Sequence, residues 1–174
     1  SRFLACLALA ILLPGLLAAA TGSVVAVRLD EPVKLDGVLD EAVWDRPSVH
    51  PLIQNEPNNG GAVLQPTDWW VAYDDAAIYI AACLHEDDPD SISTRLGRRD
   101  TWPESDWVYV NLDTFNDDRN AFSFSVNPSG VMGDSRLYND GWGDHSWDGI
   151  WEAATRVHDD GWCVEMRIPF SQLS

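Results

Sequence analysis

Apolar and polar residues alternate most clearly in two consecutive runs, residues 106–113 and residues 121–127. An aliphatic residue or Phe occupies every second position through most of each run, which is the period of a β-strand with two unlike faces. The polar positions of the second run include Ser123 and Ser125, so this strand is expected to bury one face and expose the serines. The connecting loop is too long for a two-residue hairpin turn. The two runs therefore predict a β-hairpin with a long loop.

Shorter runs of the same kind, separated by turn residues, predict strands along the rest of the chain. The clearest is a hairpin formed by residues 68–73 and 76–84. Asp40 is expected to cap a single helical turn that points Val43 and Trp44 inward. The remaining predicted strands are residues 24–29, 31–35, 49–54, 131–138, 151–157 and 162–168.

The many short strands and the scarcity of helical periodicity predict an all-β fold, an antiparallel β-sandwich of jelly-roll type. The sequence shows no internal repeat and no sign of a second domain, so residues 21–174 are predicted to form one domain. No closing strand follows residue 170. The sandwich is therefore expected to be incomplete at its C-terminus.

The first twenty residues have the composition of a secretory signal peptide. Arg2 precedes an apolar run over residues 3–13, and Ala18, Ala19 and Ala20 form an A-x-A cleavage site. The apolar run is too short to span a bilayer, so no membrane insertion is expected. We expect residues 1–20 to be removed and the protein to be exported, with a periplasmic, outer-membrane-associated or extracellular location.

The acidic balance of the chain excludes several partners. It carries 28 Asp and Glu against 11 Lys and Arg, and its formal net charge is −17. Such a field repels nucleic acid and anionic membrane surfaces. Cys83 and Cys163 remain after removal of the leader. They are either a disulfide, which export permits, or buried thiols.

Four segments occur in the order known from one protein family: residues 35–44, 73–80, 106–113 and 161–170. With them the chain resembles the family 9 carbohydrate-binding modules, and most of all the version at the N-terminus of large exported bacterial proteins. The resemblance implies a calcium-containing β-sandwich that holds sugar chains between aromatic side chains. It also implies further strands, and a downstream outer-membrane or catalytic domain, after Ser174.

Only some of the family's sugar-binding residues occur at the matching positions of this sequence. Trp102 takes the place of a sugar-stacking Trp, one residue further than usual from Asp106, which is retained. Tyr109 stands where the family has a sugar-binding Glu, and Ser125 where it has a sugar-binding Arg. The fold that the resemblance implies is unaffected, but the family's ligand specificity does not transfer directly.

Aromatic and basic residues near these positions have alternative explanations. The chain has nine Trp, and Trp44, Trp151 and Trp162 lie in amphipathic runs that predict core positions. Trp102 lies in a polar loop and is either a platform for a sugar ring or a plug over the end of the sandwich. Arg98 and Arg99 offer paired donors to a ligand, or they anchor their own loop to the acidic surface. The candidate carbohydrate-binding residues are Trp102, Asp106, Tyr109, Arg98 and Arg99.

The long loop of the central hairpin is rich in oxygen donors. Asp113, Asn116, Asp117 and Asp118 are candidate ligands for a structural calcium ion, which prefers oxygen ligands. The alternative is a solvated turn held by Asx-type hydrogen bonds. The run is not an EF-hand, because it lacks the alternating ligands, the central Gly and the terminal Glu.

No nucleophile elbow, phosphate-binding loop or metalloprotease box occurs in the chain, so it is not expected to be an enzyme. The favoured function is an exported, non-catalytic module that binds polysaccharide or oligosaccharide and assists xylan- or cellulose-type breakdown or uptake. One alternative is a calcium-stabilised sandwich that scaffolds a larger outer-membrane or cell-surface protein. A third is part of a glycoside hydrolase whose catalytic domain lies elsewhere.

Overall fold

The computed structural model describes residues 24–48, 52–139 and 142–174, and these residues form an all-β fold. The predicted signal peptide lies outside the described residues. Two short 3-10 turns, Pro89–Ser91 and Phe170–Gln172, are the helical elements of the described part. No helix among the described residues is both long and apolar enough for a membrane span. The strands are β1 (Val27–Arg28), β2 (Ile53–Gln54), β3 (Gly61–Ala62), β4 (Thr67–Tyr73), β5 (Ala77–His85), β6 (Val108–Leu112), β7 (Ala121–Val126), β8 (Met132–Tyr138), β9 (Trp142–Asp144), β10 (Glu152–His158) and β11 (Gly161–Pro169).

Two main sheets make up the sandwich. The first has the order β1-β4-β5-β11-β10 and the second the order β6-β7-β8-β9, while β2 and β3 form a separate pair. The predicted hairpins β4–β5 and β6–β7 are confirmed, and so is the antiparallel sandwich. One pairing differs from the prediction, because β1 runs parallel to β4 over two residues.

The main core lies between the two sheets. Phe124 and Val126 of β7 face Val164, Met166 and Ile168 of β11, and all five side chains are almost fully buried. The alternation read from the sequence thus places one face of β7 and one face of β11 inward. The predicted core Trp residues are also confirmed, with Trp44, Trp151 and Trp162 at most 5% exposed.

A second, smaller core covers the outer face of the five-stranded sheet. Trp44 packs there against Ala72, Tyr79 and Ala81, with Val33 at its edge. Residues 31–35 were expected to form a strand, but they are not in any sheet. Val33 packs against the core on this face, so the strand-like alternation here reflects burial without a hydrogen-bonded ladder.

Glu165 of β11 fastens this N-terminal segment to the sheet. Its Oε2 accepts hydrogen bonds from the backbone N–H groups of Asp36 and Gly37, both at 3.0 Å, and its Oε1 accepts one from Trp44 Nε1 at 3.3 Å. Burial raises the pKa of Glu165 above its ordinary value. Gly37 has φ +77°, and a Cβ there would lie 2.6 Å from the backbone carbon of Thr155. Two of the four family-like segments, residues 35–44 and 161–170, are therefore joined by these contacts.

A third family-like segment joins the same network. Asp74 accepts hydrogen bonds from the backbone of Ala76 and Ala77 and from the hydroxyl of Tyr79. Arg167 of β11 in turn donates from Nε to that hydroxyl at 3.1 Å. These three segments therefore hold the five-stranded sheet and its cover together, which is a structural role.

The structure pairs Cys83 with Cys163 in a disulfide between β5 and β11. The two residues are direct cross-strand partners in the register of these strands. The sequence left open either a disulfide or two buried thiols, and the structure has the disulfide.

The prediction was incomplete at two places. Residues 139–148 were read as a loop, but Trp142–Asp144 form the edge strand β9, which pairs with β8. Residues 49–54 were read as a strand, and of the described residues 52–54 the pair Ile53–Gln54 forms β2. Edge strands of two or three residues carry too few alternating positions to be seen as a period.

Candidate functional site

A cavity of about 380 Å³ opens on the outer face of the four-stranded sheet. This face points away from the main core. The residues that line it come from β6, β7 and β8, from the loop before β6 and from the turn after β9. They are Trp102, Tyr109, Asn111, Ser123, Ser125, Asp134, Ser135, Leu137 and His145.

Strand register builds the floor of the cavity. Tyr109 pairs with Ser125 across β6 and β7, and Ser125 pairs with Gly133 across β7 and β8. One step along, Ser123 pairs with Asn111 on one side and Ser135 on the other. Because alternate residues of a strand face the same side, these rows present small hydroxyl and amide groups to the cavity.

Trp102 closes one side of the cavity and lies directly on the floor. Its Nε1 donates a hydrogen bond to Ser125 Oγ at 3.2 Å, and Ser125 Oγ donates to the carbonyl of Gly133 at 3.0 Å. A Cβ on Gly133 would lie 2.9 Å from the indole ring, so this close approach requires glycine. The imidazole of His145 meets the indole edge-on, with ring centroids 4.9 Å apart.

The contact with Trp102 corrects the sequence-based expectation that Ser123 and Ser125 are exposed to water. Ser125 is 2% and Ser123 9% exposed. The loop before β6 folds back over the sheet at Ser125, and a period-two pattern cannot show such a cover. The chain at Trp102 has φ +35°, a conformation that L-residues rarely adopt.

Tyr109 forms a second wall of the cavity. It is 55% exposed, and its ring lies 6.0 Å from that of Trp107 at a tilt of 36°. Partial burial raises the pKa of its phenol, so the hydroxyl stays protonated as a donor at neutral pH. The cavity therefore has two aromatic walls with polar groups between them.

Arg99 points to a buried carboxylate. Asp134 of β8 has a fully buried side chain, and it accepts hydrogen bonds from Arg99 Nη2, from Gly149 N at 2.8 Å and from Trp151 Nε1 at 2.9 Å. Arg99 also donates to the carbonyl of Gly149 at 2.6 Å and pairs with Asp148 at 3.2 Å. These contacts show that Arg99 anchors its own loop, which is the second of the two roles considered for this residue.

The remaining candidates lie elsewhere. Asp106 Oδ2 accepts a hydrogen bond from the backbone N–H of Ser93 at 2.9 Å, so it fastens the preceding loop. The side chain of Arg98 is exposed. Of the five predicted residues, the structure places Trp102 and Tyr109 together in the cavity lining.

Sequence reasoning did not single out the floor. Asn111 and Ser123 follow from the register of the predicted hairpin once its outer face is known to be the binding face. Ser135 and His145 had no such signal, since β8 shows little alternation and His145 lies in a turn. Asp134 could not be found either, because its partners lie in two distant parts of the chain, at Arg99 and at residues 149–151.

The loop between β6 and β7 is held by its own hydrogen bonds. Asp113 accepts from the backbone N–H groups of Phe115, Asp117 and Asp118, and Asp117 accepts from those of Arg119 and Asn120. Within the described residues, no group of three or more His, Cys, Asp or Glu side chains converges where it could hold a metal ion. Calcium at Asp113, Asn116, Asp117 and Asp118 stays a prediction.

Comparisons with solved structures identify the fold. The chain is similar to a family 9 carbohydrate-binding module from Caldicellulosiruptor kristjanssonii in complex with cellotriose, with 21% identity, a TM-score of 0.56, and coverage of 84% of this chain and 67% of that one. A second structure from the same organism, in complex with glucose, gives 21% identity, a TM-score of 0.55, and coverage of 84% and 69%. A protein from Bacteroides uniformis ATCC 8492 gives 14% identity, a TM-score of 0.61, and coverage of 87% and 75%. No family model matches the sequence, and no curated protein does.

Proposed function

We propose that this chain, which has the fold of the family 9 carbohydrate-binding modules, binds carbohydrate without catalysing a reaction. The observation that supports this most is the cavity on the outer sheet face, with Trp102 and Tyr109 as aromatic walls and small polar residues as its floor. Similar structures are those of carbohydrate-binding modules, with cellotriose and glucose as their ligands.

The lining suits a neutral sugar. Aromatic rings pack against the C–H faces of a sugar ring, while the amide of Asn111 and the hydroxyls of Ser123 and Ser135 exchange hydrogen bonds with sugar hydroxyls. Asp134 is already neutralised by Arg99. Hydrogen bonds between neutral partners are weaker than those to charged groups, so binding is expected to be weak.

Replacing Trp102 by Ala tests this proposal. Trp102 is partly buried, and ligand covers the part of its ring that remains exposed, so Trp102→Ala should weaken binding of glucose and cellobiose at least about tenfold. Stability should fall by only about 1 kcal/mol, the value of one hydrogen bond and some packing. Calorimetric titration and thermal melting measure the two effects.

Trp142→Ala is the matched control, since Trp142 is 74% exposed and lies outside the cavity lining. It should leave binding of these short sugars unchanged. A protein that binds none of a broad panel of sugars, or a Trp102→Ala variant that loses stability but not affinity, would contradict carbohydrate binding at this cavity.

The structural scaffold remains the second candidate function, and one contact favours it. The N–H of Trp102 is satisfied by Ser125 and its ring rests on Gly133, as expected of a plug over the sheet. The experiment above separates the two candidates, because a plug contributes to stability and not to affinity.

We also propose that the protein is exported and assists the breakdown or uptake of xylan- or cellulose-type polysaccharide. The disulfide between Cys83 and Cys163 supports export, because disulfides persist mainly in oxidising compartments. The N-terminal sequence of the mature protein should begin near Thr21. A mature protein that retains Arg2 would rule out the predicted cleavage.

Chelation tests the predicted calcium ion. If calcium binds the loop of Asp113, Asn116, Asp117 and Asp118, a hundredfold excess over Kd stabilises the protein by about 2.7 kcal/mol. The melting temperature should then fall in EDTA and recover with calcium but not with monovalent salt. An unchanged melting temperature would leave the loop's own hydrogen bonds as its only support.

A further inference from the structure

The loop that carries Trp102 wraps around one edge of β8. On the core side of the sheet, Arg99 reaches the carboxylate of Asp134, which is the cross-strand partner of the core residue Phe124. On the outer side, the Trp102 ring lies against Gly133. Asp100 lies between these two contacts in the chain, and it holds the loop to the edge of β8 itself.

Asp100 bonds the two backbone groups of β8 that a neighbouring strand would pair with. Its N–H donates to the carbonyl of Met132 at 3.0 Å, and its Oδ1 accepts from the N–H of Asp134 at 3.0 Å. Strand β9 pairs with β8 at Arg136–Tyr138 and leaves the edge at residues 132–134 to Asp100. Both backbone groups are thereby satisfied. The carboxylate of Asp100 thus takes the place of a backbone carbonyl of an edge strand.

The two bonds of Asp100 bracket the residue on which Trp102 rests. Gly133 lies between Met132 and Asp134, and a Cβ there would lie 2.9 Å from the indole ring. One residue separates Asp100 from Trp102, and both have positive φ, +61° and +35°. Asp and Asn are enriched in this left-handed conformation, so Asp100 combines a fitting backbone with a side-chain acceptor. The path of the chain from the edge of β8 to the cavity is therefore fixed at Asp100.

We propose that Asp100 is a positioning residue of the carbohydrate site, which holds the loop on β8 so that Trp102 stands as a wall of the cavity. This inference rests on the proposed carbohydrate-binding function and assigns part of the affinity to a residue outside the cavity lining. A wall that is in place before binding avoids the entropy cost of ordering a loop when the sugar arrives. The acceptor oxygen carries the role, because its partner is a neutral backbone N–H.

Two substitutions at Asp100 test the acceptor by titration with glucose and cellobiose. Asp100→Ala removes the oxygen and should weaken binding about fivefold. Asp100→Asn keeps an oxygen acceptor and tolerates the same backbone conformation, so its affinity should stay within about twofold of the unmodified protein. Asn139→Ala is the matched control. Asn139 also has a positive φ, +51°, and lies outside the cavity lining, so Ala meets the same backbone strain there and binding should not change.

A double-mutant cycle shows whether Asp100 acts through Trp102. In the Trp102→Ala background, Asp100→Ala should weaken binding by less than about twofold, because the wall that it positions is gone. Titration followed by NMR measures these low affinities. An equal loss in both backgrounds, or unmodified affinity in Asp100→Ala, would overturn the positioning role and leave the proposed function in place.

The indole N–H of Trp102 gives a readout that needs no sugar. Its NMR resonance is assigned by its loss in Trp102→Ala, and its hydrogen bond to Ser125 slows exchange with water. Exchange should be at least about fivefold faster in Asp100→Ala and unchanged in Asp100→Asn. Exchange that Asp100→Ala leaves unchanged would overturn the proposal. Expected exchange rates in a protein that binds no sugar would overturn the proposed function and not the placement of Trp102 by Asp100.

Discussion

Replacing Asp134 by Asn is expected to destabilise the protein by about 3–5 kcal/mol, the usual cost of breaking a buried charge pair. Asp134 is fully buried and accepts hydrogen bonds from Arg99, Gly149 and Trp151. An amide at this position turns one acceptor into a donor that faces other donors, and it leaves the Arg99 charge without its buried partner. Denaturant unfolding followed by Trp fluorescence measures the loss.

Asp148→Asn provides the matched control. It is the same substitution on a carboxylate that contacts the same guanidinium, but the Asp148 side chain is 78% exposed. Exposed ion pairs contribute about 0–1 kcal/mol, so this variant should stay close to the unmodified protein. Equal effects of the two variants would show that Asp134 does not anchor the loop of Arg99.

Replacing Glu165 by Ala should cost a similar amount, about 3–5 kcal/mol. The backbone N–H groups of Asp36 and Gly37 and the indole N–H of Trp44 would lose their acceptor, and each buried donor left unpaired costs about 1–3 kcal/mol. Glu152→Ala, at a side chain that is 65% exposed on the neighbouring strand, should cost less than about 1 kcal/mol. Denaturant unfolding of both variants checks the difference.

The effect of Glu165 also depends on pH. Because its pKa is raised in the folded state, the folded protein holds this proton more tightly than the unfolded chain does. The resulting stability is fully present below the ordinary carboxyl pKa of about 4.3 and is lost as the pH rises through the folded value. The difference in stability between the unmodified protein and Glu165→Ala should therefore shrink as the pH rises above about 4.3. A difference that grows with pH would contradict a raised pKa.

The sequence predicted those strands in which apolar residues recur at every second position. In β6 and β7 this period is visible in the residue types, although only β6 also alternates in burial and β7 is buried on both faces. Residues 31–35 show a similar pattern although they pair with no strand. The alternation records which side chains are buried and does not show whether the backbone is hydrogen-bonded in a sheet. The disulfide required the register of β5 on β11, which pairs strands far apart in sequence.

The candidate site was predicted at its walls and missed at its floor. Trp102 and Tyr109 stood out as aromatic residues at known family positions. Ser123 and Ser135 are ordinary polar strand residues, and their shared face emerges only when β7 and β8 are paired. The sequence indicated that Arg99 donates hydrogen bonds but did not identify the acceptor. The buried acid that pairs with Arg99 is Asp134, which lies 35 residues away in the chain.

The bond between Cys83 and Cys163 closes a covalent ring across a sequence separation of 80 residues, and strands β6 to β9 lie entirely within it. A ring of this size restricts the unfolded chain and stabilises the fold by about 4–5 kcal/mol in the chain-entropy model. The ring also bears on proteolysis. A single cut in the exposed loop between β6 and β7 would give two fragments still joined through sulfur, so the fragment with β6 would separate from the fragment with β7 to β9 only after reduction.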